Sequence, residues 1–238
     1  FTCVMLRSIL PLQFLDNACA CPICGHSSRV MRRVGHDAQV LVQNEVVGAG
    51  IRYVQCIYCG STDRDRLVYL YLRDHSAVYR QDNLQILHIA PERCLSKVLR
   101  KKTPNAYMPA DIHPRKYWYI SGMQQVDITR MHYDDNSFDI ILCNHVLEHI
   151  PDDKAAIREL YRVLRPGAIA ILQVPIALRN KCTIEHSTSL SPTEQLHTYG
   201  QKDHVRLYGQ DYTERLQSSG GIVHSISLAA IYPHCGLH

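Results

Sequence analysis

One stretch narrows the fold more than any other: Phe138-Asp-Ile-Ile-Leu-Cys-Asn-His-Val-Leu-Glu-His-Ile-Pro151, continued by Glu159-Leu-Tyr-Arg-Val-Leu-Arg-Pro-Gly167. A short, nearly continuous apolar run breaks into polar residues, resumes with helical spacing and ends on a Pro-Gly turn. Short apolar runs of this kind suit strands buried on both faces, which is the condition of a parallel sheet. The pattern predicts a buried strand over 138–144, a loop bearing functional groups, a helix over 152–164 and, after the turn, another buried strand over 168–174. This is the second half of a nucleotide-binding type of α/β fold.

The neighbouring sequence extends the alternation. Leu67, Leu70, Tyr71 and Val78 fall at helical spacing within 63–79. A strand is expected over 84–90, a helix over 92–102 beginning after Pro91, a strand within 105–112 ending at Asp111, and a short strand over 125–128. A polar connection runs to about Gly209, followed by a helix over 211–219 and a last strand over 222–228. Strands alternating with helices predict a doubly wound sheet. Ligands of such sheets bind outside the carboxyl ends of the strands, where the strand order reverses. The ends here carry His88 and Ala90, Asp111, Asp127, and Asn144 with His145. Asp111 is placed either to take both hydroxyls of a ribose or to serve as a turn residue before Ile112-His-Pro.

The N-terminal part obeys a different rule. Cys21-Pro-Ile-Cys24-Gly25 and Cys56-Ile-Tyr-Cys59-Gly60 are matched knuckles, each able to offer two thiolates from a tight turn. Five of the ten cysteines, Cys19, Cys21, Cys24, Cys56 and Cys59, fall here, and paired Cys-x-x-Cys steps in an enzyme-like chain point to metal rather than disulfides. Cys21, Cys24, Cys56 and Cys59 are the expected ligands of a zinc ribbon, with iron not excluded by spacing. Apolar stretches between the knuckles, 40–42 and 46–47, suit its hairpins. The expected division is a segment 1–62 carrying this module and a domain over 63–238.

Net charge is +4, too mild to demand a nucleic-acid partner, and no apolar run approaches the ~20 residues of a membrane span. The start lacks the basic and cleavage regions of a signal peptide, so a cytoplasmic enzyme is expected. The chain opens on Phe1 rather than Met, so residues upstream are expected.

Taken in order, the knuckles, Cys-Gly-Ser-Thr-Asp-Arg-Asp-Arg-Leu, Leu-His-Ile-Ala-Pro-Glu, Ala-Asp-Ile, Val-Asp-Ile-Thr, the 138–167 stretch and Asp203-His-Val-Arg-Leu-Tyr-Gly-Gln-Asp-Tyr resemble class I S-adenosylmethionine-dependent methyltransferases with an N-terminal zinc ribbon. The resemblance implies a Rossmann-like, mostly parallel sheet and S-adenosylmethionine as methyl donor. It assigns Asp111 to the ribose, Asp127 and Ile128 to the adenine edge, and Asn144 and His145 to the methionine end. It departs at His88-Ile-Ala-Pro-Glu92, where that family usually has Gly-x-Gly. Glu92 there either binds the donor's amino group or complements a helix dipole.

Methyl transfer is an in-line attack on a sulfonium methyl, so alignment and removal of the acceptor's proton are what a protein adds. Candidate bases are His145, His149, Glu185, His186 and His204, with His145 and His204 favoured as the catalytic pair. Glu148 and His149 read as loop architecture. Arg206 and Tyr208, in the polar segment after 175, are the expected acceptor-binding residues. The expected acceptor is a small molecule or glycan, methylated on oxygen or nitrogen. RNA or protein methylation guided by the ribbon is the alternative, though Arg29, Arg32 and Arg33 lack an aromatic-basic stripe. A binding protein that has kept the fold without catalysis is the third reading.

Overall fold

The computed structural model describes residues 12–220 and 222–223. In chain order the elements are β1 (Leu12–Ala20), β2 (Ser27–Val34), α1 (Gln39–Gln43), β3 (Arg52–Cys56), α2 (Asp63–His75), β4 (Ile86–Ile89), α3 (Arg93–Lys102), β5 (Tyr107–Asp111), β6 (Gln124–Gln125), β7 (Phe138–Cys143), α4 (Asp153–Val163), β8 (Leu164–Ile171), β9 (Ile184–Glu185), α5 (Pro192–Tyr199), β10 (Arg206–Leu207) and α6 (Tyr212–Gln217). Single 3₁₀ turns cover Pro114–Tyr117 and Leu147–His149.

The main sheet has the order β6-β5-β4-β7-β8, with every pair parallel. The order reverses between β4 and β7, so their carboxyl ends flank a crevice. Alternation along the central strands sorts side chains into two layers. Ile86 of β4 and Ile140 and Leu142 of β7 pack with Val68 and Leu72 of α2 and Leu95 and Leu99 of α3. Leu87, Ile89, Ile141 and Cys143 pack on the opposite face with Ala156, Ile157, Leu160 and Val163 of α4. A doubly wound, Rossmann-like α/β fold is therefore what the alternation of elements produces. Helix α4 begins where Asp152 Oδ1 accepts the Ala155 N–H at 2.9 Å, as an N-cap should.

Several elements depart from expectation. The strand expected over 125–128 is reduced to Gln124–Gln125, both exposed, at the sheet edge. Strand β8 starts earlier than expected, at Leu164, and the Pro166-Gly167 step is an irregularity in its pairing with β7. The strand expected over 222–228 falls, from residue 224 on, outside the described residues. The connection after 175 is not featureless: β9 pairs antiparallel with β10, and α5 lies between them.

Strands β1, β2 and β3 form a separate antiparallel sheet. Residues 40–42 are helical in α1 rather than part of a hairpin. The reason is tertiary. Leu41 is buried with Val46 against Ala177, Tyr199 and Leu207 of the segment after β8. Val47 N–H donates to the Ile176 carbonyl at 2.9 Å, and His36 Nε2 lies 2.8 Å from the Gly200 carbonyl. The N-terminal sheet is thus tied to the segment that borders the carboxyl end of the main sheet. Among the described residues no helix is long and apolar enough to cross a membrane.

Candidate functional site

Two strand ends flanking the crevice carry the same backbone device. Ala90, after β4, has φ 48°, and His145, just beyond β7, has φ 54°. Non-glycine residues rarely take this left-handed conformation, and they persist in it where surrounding structure holds them. Ala90 N–H donates to the Ala110 carbonyl at 2.9 Å, and His145 N–H to the Gln173 carbonyl at 2.8 Å. The first loop therefore makes a left-handed turn without glycine. Replacing Ala90 by glycine relieves about 1–2 kcal/mol of steric cost and adds up to about 1 kcal/mol of unfolded-state entropy. Thermal denaturation of Ala90→Gly is expected to show a Tm raised by a few degrees; a lowered Tm would mean that the packing of the Ala90 methyl dominates.

Glu92, just past the end of β4, is the N-cap residue of α3. His88 Nε2–H donates to Glu92 Oε2 at 2.7 Å, and Asn144 Nδ2 donates to Oε1 at 3.1 Å. The other His88 nitrogen meets the Tyr107 hydroxyl at 2.9 Å. Burial pushes the Glu92 carboxyl up, but the bond and charge of His88, with Asn144, outweigh it and hold the group below its ordinary range. The ring of His88 is fully buried in the layer of α2 and α3. This corrects its expected place among ligand-contacting residues: it positions Glu92 instead.

Asp111 ends β5. Its Oδ1 accepts the His113 N–H at 2.6 Å and its Oδ2 accepts the Tyr117 hydroxyl at 3.1 Å. Each oxygen keeps a lone pair for another donor. Val126 N–H donates to the Asp111 carbonyl at 3.1 Å, which brings exposed Asp127 and buried Ile128 to the same rim. The Thr129 hydroxyl and N–H, at 2.7 and 2.9 Å, both bond Asp127 Oδ1 and lower its carboxyl. Asn144 Oδ1 is buried without a partner. An orphaned acceptor beside the Glu92 carboxylate fits a ligand that is cationic and rich in hydroxyl and amine donors, as S-adenosylmethionine is.

His145 is held from both sides. Arg64 Nη1 donates to His145 Nε2 at 2.7 Å, so the ring proton lies on Nδ1, which faces Glu148 Oε1 at 3.3 Å. His149 Nδ1 lies 3.1 Å from the Asp203 carbonyl. His204 is nearly fully buried, and burial pulls its pKa down to about 4. A base that weak and that enclosed does not suit proton removal near neutrality, which corrects its expected catalytic role.

Arg206 and Tyr208 also differ from expectation. The Arg206 guanidinium is buried and donates to the carbonyls of Leu147, Ile150 and Pro151 and to Glu185 Oε2. Tyr208 is fully buried and its hydroxyl donates to Asp153 Oδ2 at 2.6 Å. Neither has a group left to meet an acceptor; together they clamp the loop 145–151 from behind. Gly209 completes the clamp, since a Cβ there would lie 2.5 Å from the Cys182 backbone. Glu185 is committed to Arg206 and Arg215, and His186 Nδ1 to the Tyr199 hydroxyl.

The segment Ser61 to Arg66, expected to begin the helix that joins the ribbon to the main domain, joins the two sheets. Thr62 and Asp65 form a capping box on α2, Asp63 pairs with Arg52, and Arg66 donates to the carbonyls of Val54 and Ser61 at 2.9 and 3.0 Å. The S/T-x-x-acid spacing was its one visible signal.

The four cysteines gather at one point. Cys21 and Cys59 sulfurs lie 3.7 Å apart and those of Cys24 and Cys56 3.8 Å apart, and all four lie within 4.8 Å of one another. A tetrahedron with metal–sulfur bonds of about 2.3 Å has edges of about 3.8 Å. The knuckles are copies: Gly25 N–H bonds the Cys21 carbonyl at 2.8 Å and Gly60 N–H the Cys56 carbonyl at 3.0 Å, both glycines at φ 76°. Burial would raise the Cys21 thiol, but the Ser61 hydroxyl and backbone N–H groups outweigh it, bringing it to about 7. The residues present fit a closed four-thiolate metal centre.

Residues 78–172 match the family model described as a methyltransferase domain. Among curated proteins, the demethylmenaquinone methyltransferase of Staphylococcus epidermidis is 38% identical over 45 residues, 19% of each chain. Phosphoethanolamine N-methyltransferase 1 of Arabidopsis thaliana is 32% identical over 85 residues, 35% of this chain and 16% of that protein. The chain thus spans less than a fifth of the length of these relatives. Among solved structures, an S-adenosylmethionine-dependent methyltransferase from Mesorhizobium loti aligns with a TM-score of 0.46 at 15% identity, covering 72% of this chain and 90% of that one. One from Archaeoglobus fulgidus aligns with a TM-score of 0.44 at 16% identity, covering 65% and 67%. Residues 78–172 are thus similar to a methyltransferase domain, and the described residues have a Rossmann-like α/β fold.

Proposed function

We propose that the protein uses S-adenosylmethionine to methylate an oxygen or nitrogen of a small-molecule or glycan-type acceptor. The observation that carries this reading is the rim of Glu92, Asp111 and Asp127 around the β4/β7 crevice, within the segment that matches the methyltransferase domain. When bound, S-adenosylmethionine supplies an electrophilic sulfonium methyl. Asp111 would receive the ribose hydroxyls, Asp127 and Ile128 would border the adenine, and Glu92 with Asn144 would hold the amino group. His145 would stand nearest the acceptor, its orientation fixed by Arg64 and Glu148. The turn at Ala90 gives the first loop its shape without glycine, which favours an active enzyme over a binding protein that has lost the donor.

The named relatives act on demethylmenaquinone and phosphoethanolamine, both small molecules, in keeping with this acceptor class. The same reading includes zinc held by Cys21, Cys24, Cys56 and Cys59, and a boundary between a 1–62 module and a 63–238 domain. Zinc there would supply folding energy, not chemistry.

The test is calorimetric titration with S-adenosylmethionine. Binding is expected, and Asp111→Ala should weaken it about 10–100-fold, the loss of one or two hydrogen bonds to a charged group at about 1.5–3 kcal/mol. No heat of binding with millimolar ligand would refute the reading. Steeply salt-dependent retention on RNA would favour the nucleic-acid alternative instead.

A further inference from the structure

The loop after β7 holds a second group of metal-type donors, far in sequence from the cysteines. Glu148 and His149 come from the 3₁₀ turn after β7, and His204 precedes β10. One donor atom from each lies within 4.8 Å of the other two. The segments are fixed against each other, because Val205 N–H donates to the Glu148 carbonyl at 2.9 Å. Glu148 is 1% exposed and His204 2%, yet Glu148 Oε2 and His204 Nδ1 have no hydrogen-bond partner. Each such orphan costs about 1–3 kcal/mol. Two of them on residues of one donor cluster call for a shared occupant.

We propose that Glu148, His149 and His204 bind one first-row divalent cation at the acceptor end of the crevice. The surrounding bonds are those a metal site requires. Ligating imidazoles donate their other N–H to a carbonyl or carboxylate, and His149 Nδ1 faces the Asp203 carbonyl, leaving Nε2 free. Ligating carboxylates are themselves hydrogen-bonded, and Glu148 Oε1 faces His145 Nδ1, leaving Oε2 free. His149, 32% exposed, gives the ion a route from solvent. Bringing donors together to the ~3–3.4 Å separation of neighbouring ligands takes small side-chain rotations. Two imidazoles and a carboxylate suit zinc, cobalt, nickel or ferrous ions over the all-oxygen preference of magnesium and calcium. Three protein ligands leave positions open beside His145. An acceptor hydroxyl bound there would lose its proton more readily, which defines the ligand as an oxygen-bearing acceptor.

The test does not depend on methyl transfer. The purified protein, carrying a single equivalent of zinc for the four cysteines, is titrated with Co²⁺, read by equilibrium dialysis and absorption. One further equivalent is expected, with weak visible bands and without the intense thiolate-to-cobalt charge-transfer band that a cysteine site gives. His204→Ala and the milder His149→Gln, at a partly exposed position, should each weaken that equivalent at least about tenfold. The proposal is overturned if no such equivalent binds, if it carries the thiolate band, or if both variants retain it unchanged. A water bridging the two orphan atoms would give the first of those results.

Discussion

Asp153→Ala is expected to destabilise the protein by about 3–5 kcal/mol, the cost of leaving buried charge uncompensated. Asp153 is 1% exposed, and its carboxylate takes the Tyr208 hydroxyl and Arg215 Nη2, both at 2.6 Å, with Arg206 Nη1 at 3.7 Å. Removing it strands Arg206, 3% exposed, and Arg215, with only the partly exposed Glu185 to answer them. Urea denaturation should show the full loss, and Tm should fall on the order of 10 °C. Asp152→Ala is the natural comparison. It removes a helix cap one residue away and should cost about 1 kcal/mol. Similar losses for the two variants would mean that the buried network contributes no more than the cap. Because Arg206 also grips the carbonyls of Leu147, Ile150 and Pro151, the Asp153 variant should loosen the loop that presents His145.

That network also marks where sequence reading stops. Strand β7 and helix α4 were legible to within a residue because their signals are local: an unbroken apolar run, an Asp cap and apolar residues at helical spacing. The end of β5 at Asp111 was legible for the same reason, whereas Asp127 falls two residues past the short edge strand β6. Arg206 and Tyr208 were misread because their partner, Asp153, is remote in the chain. A charged or aromatic residue in a polar segment looks the same whether it meets a ligand or a buried counter-ion. Helix α5 escaped although Ser191-Pro-Thr-Glu194 carries a capping box with proline at its first position, and both signals were present in the residues. The two-residue strands β9 and β10 have no periodicity to read. Residues 40–42 have the composition of a strand, and only the docking of Leu41 on Tyr199 and Leu207 makes them helical.

If the four cysteines hold zinc as proposed, its loss should have the largest effect of all, because structural zinc contributes about 10–16 kcal/mol of apparent folding free energy to modules this small. Cys56→Ser is expected to abolish the thiolate-bound equivalent and to unfold the N-terminal sheet, read as a lost charge-transfer band in the cobalt-substituted protein and as rapid proteolysis within residues 12–60. The damage should spread by two routes. Cys56 N–H bonds the Ser61 carbonyl, which also receives Arg66, so unravelling this knuckle frees the start of α2 and with it Arg64, the donor that fixes His145. Through Leu41 and Val46 it also uncovers Ala177, Tyr199 and Leu207. Affinity for S-adenosylmethionine should fall less than turnover, since Glu92, Asp111 and Asp127 stand on the main sheet while His145 depends on the junction. Equal losses in KM and kcat would place the coupling in the sheet itself, and full activity in a metal-free variant would show that the cysteine module has no part in ordering the site.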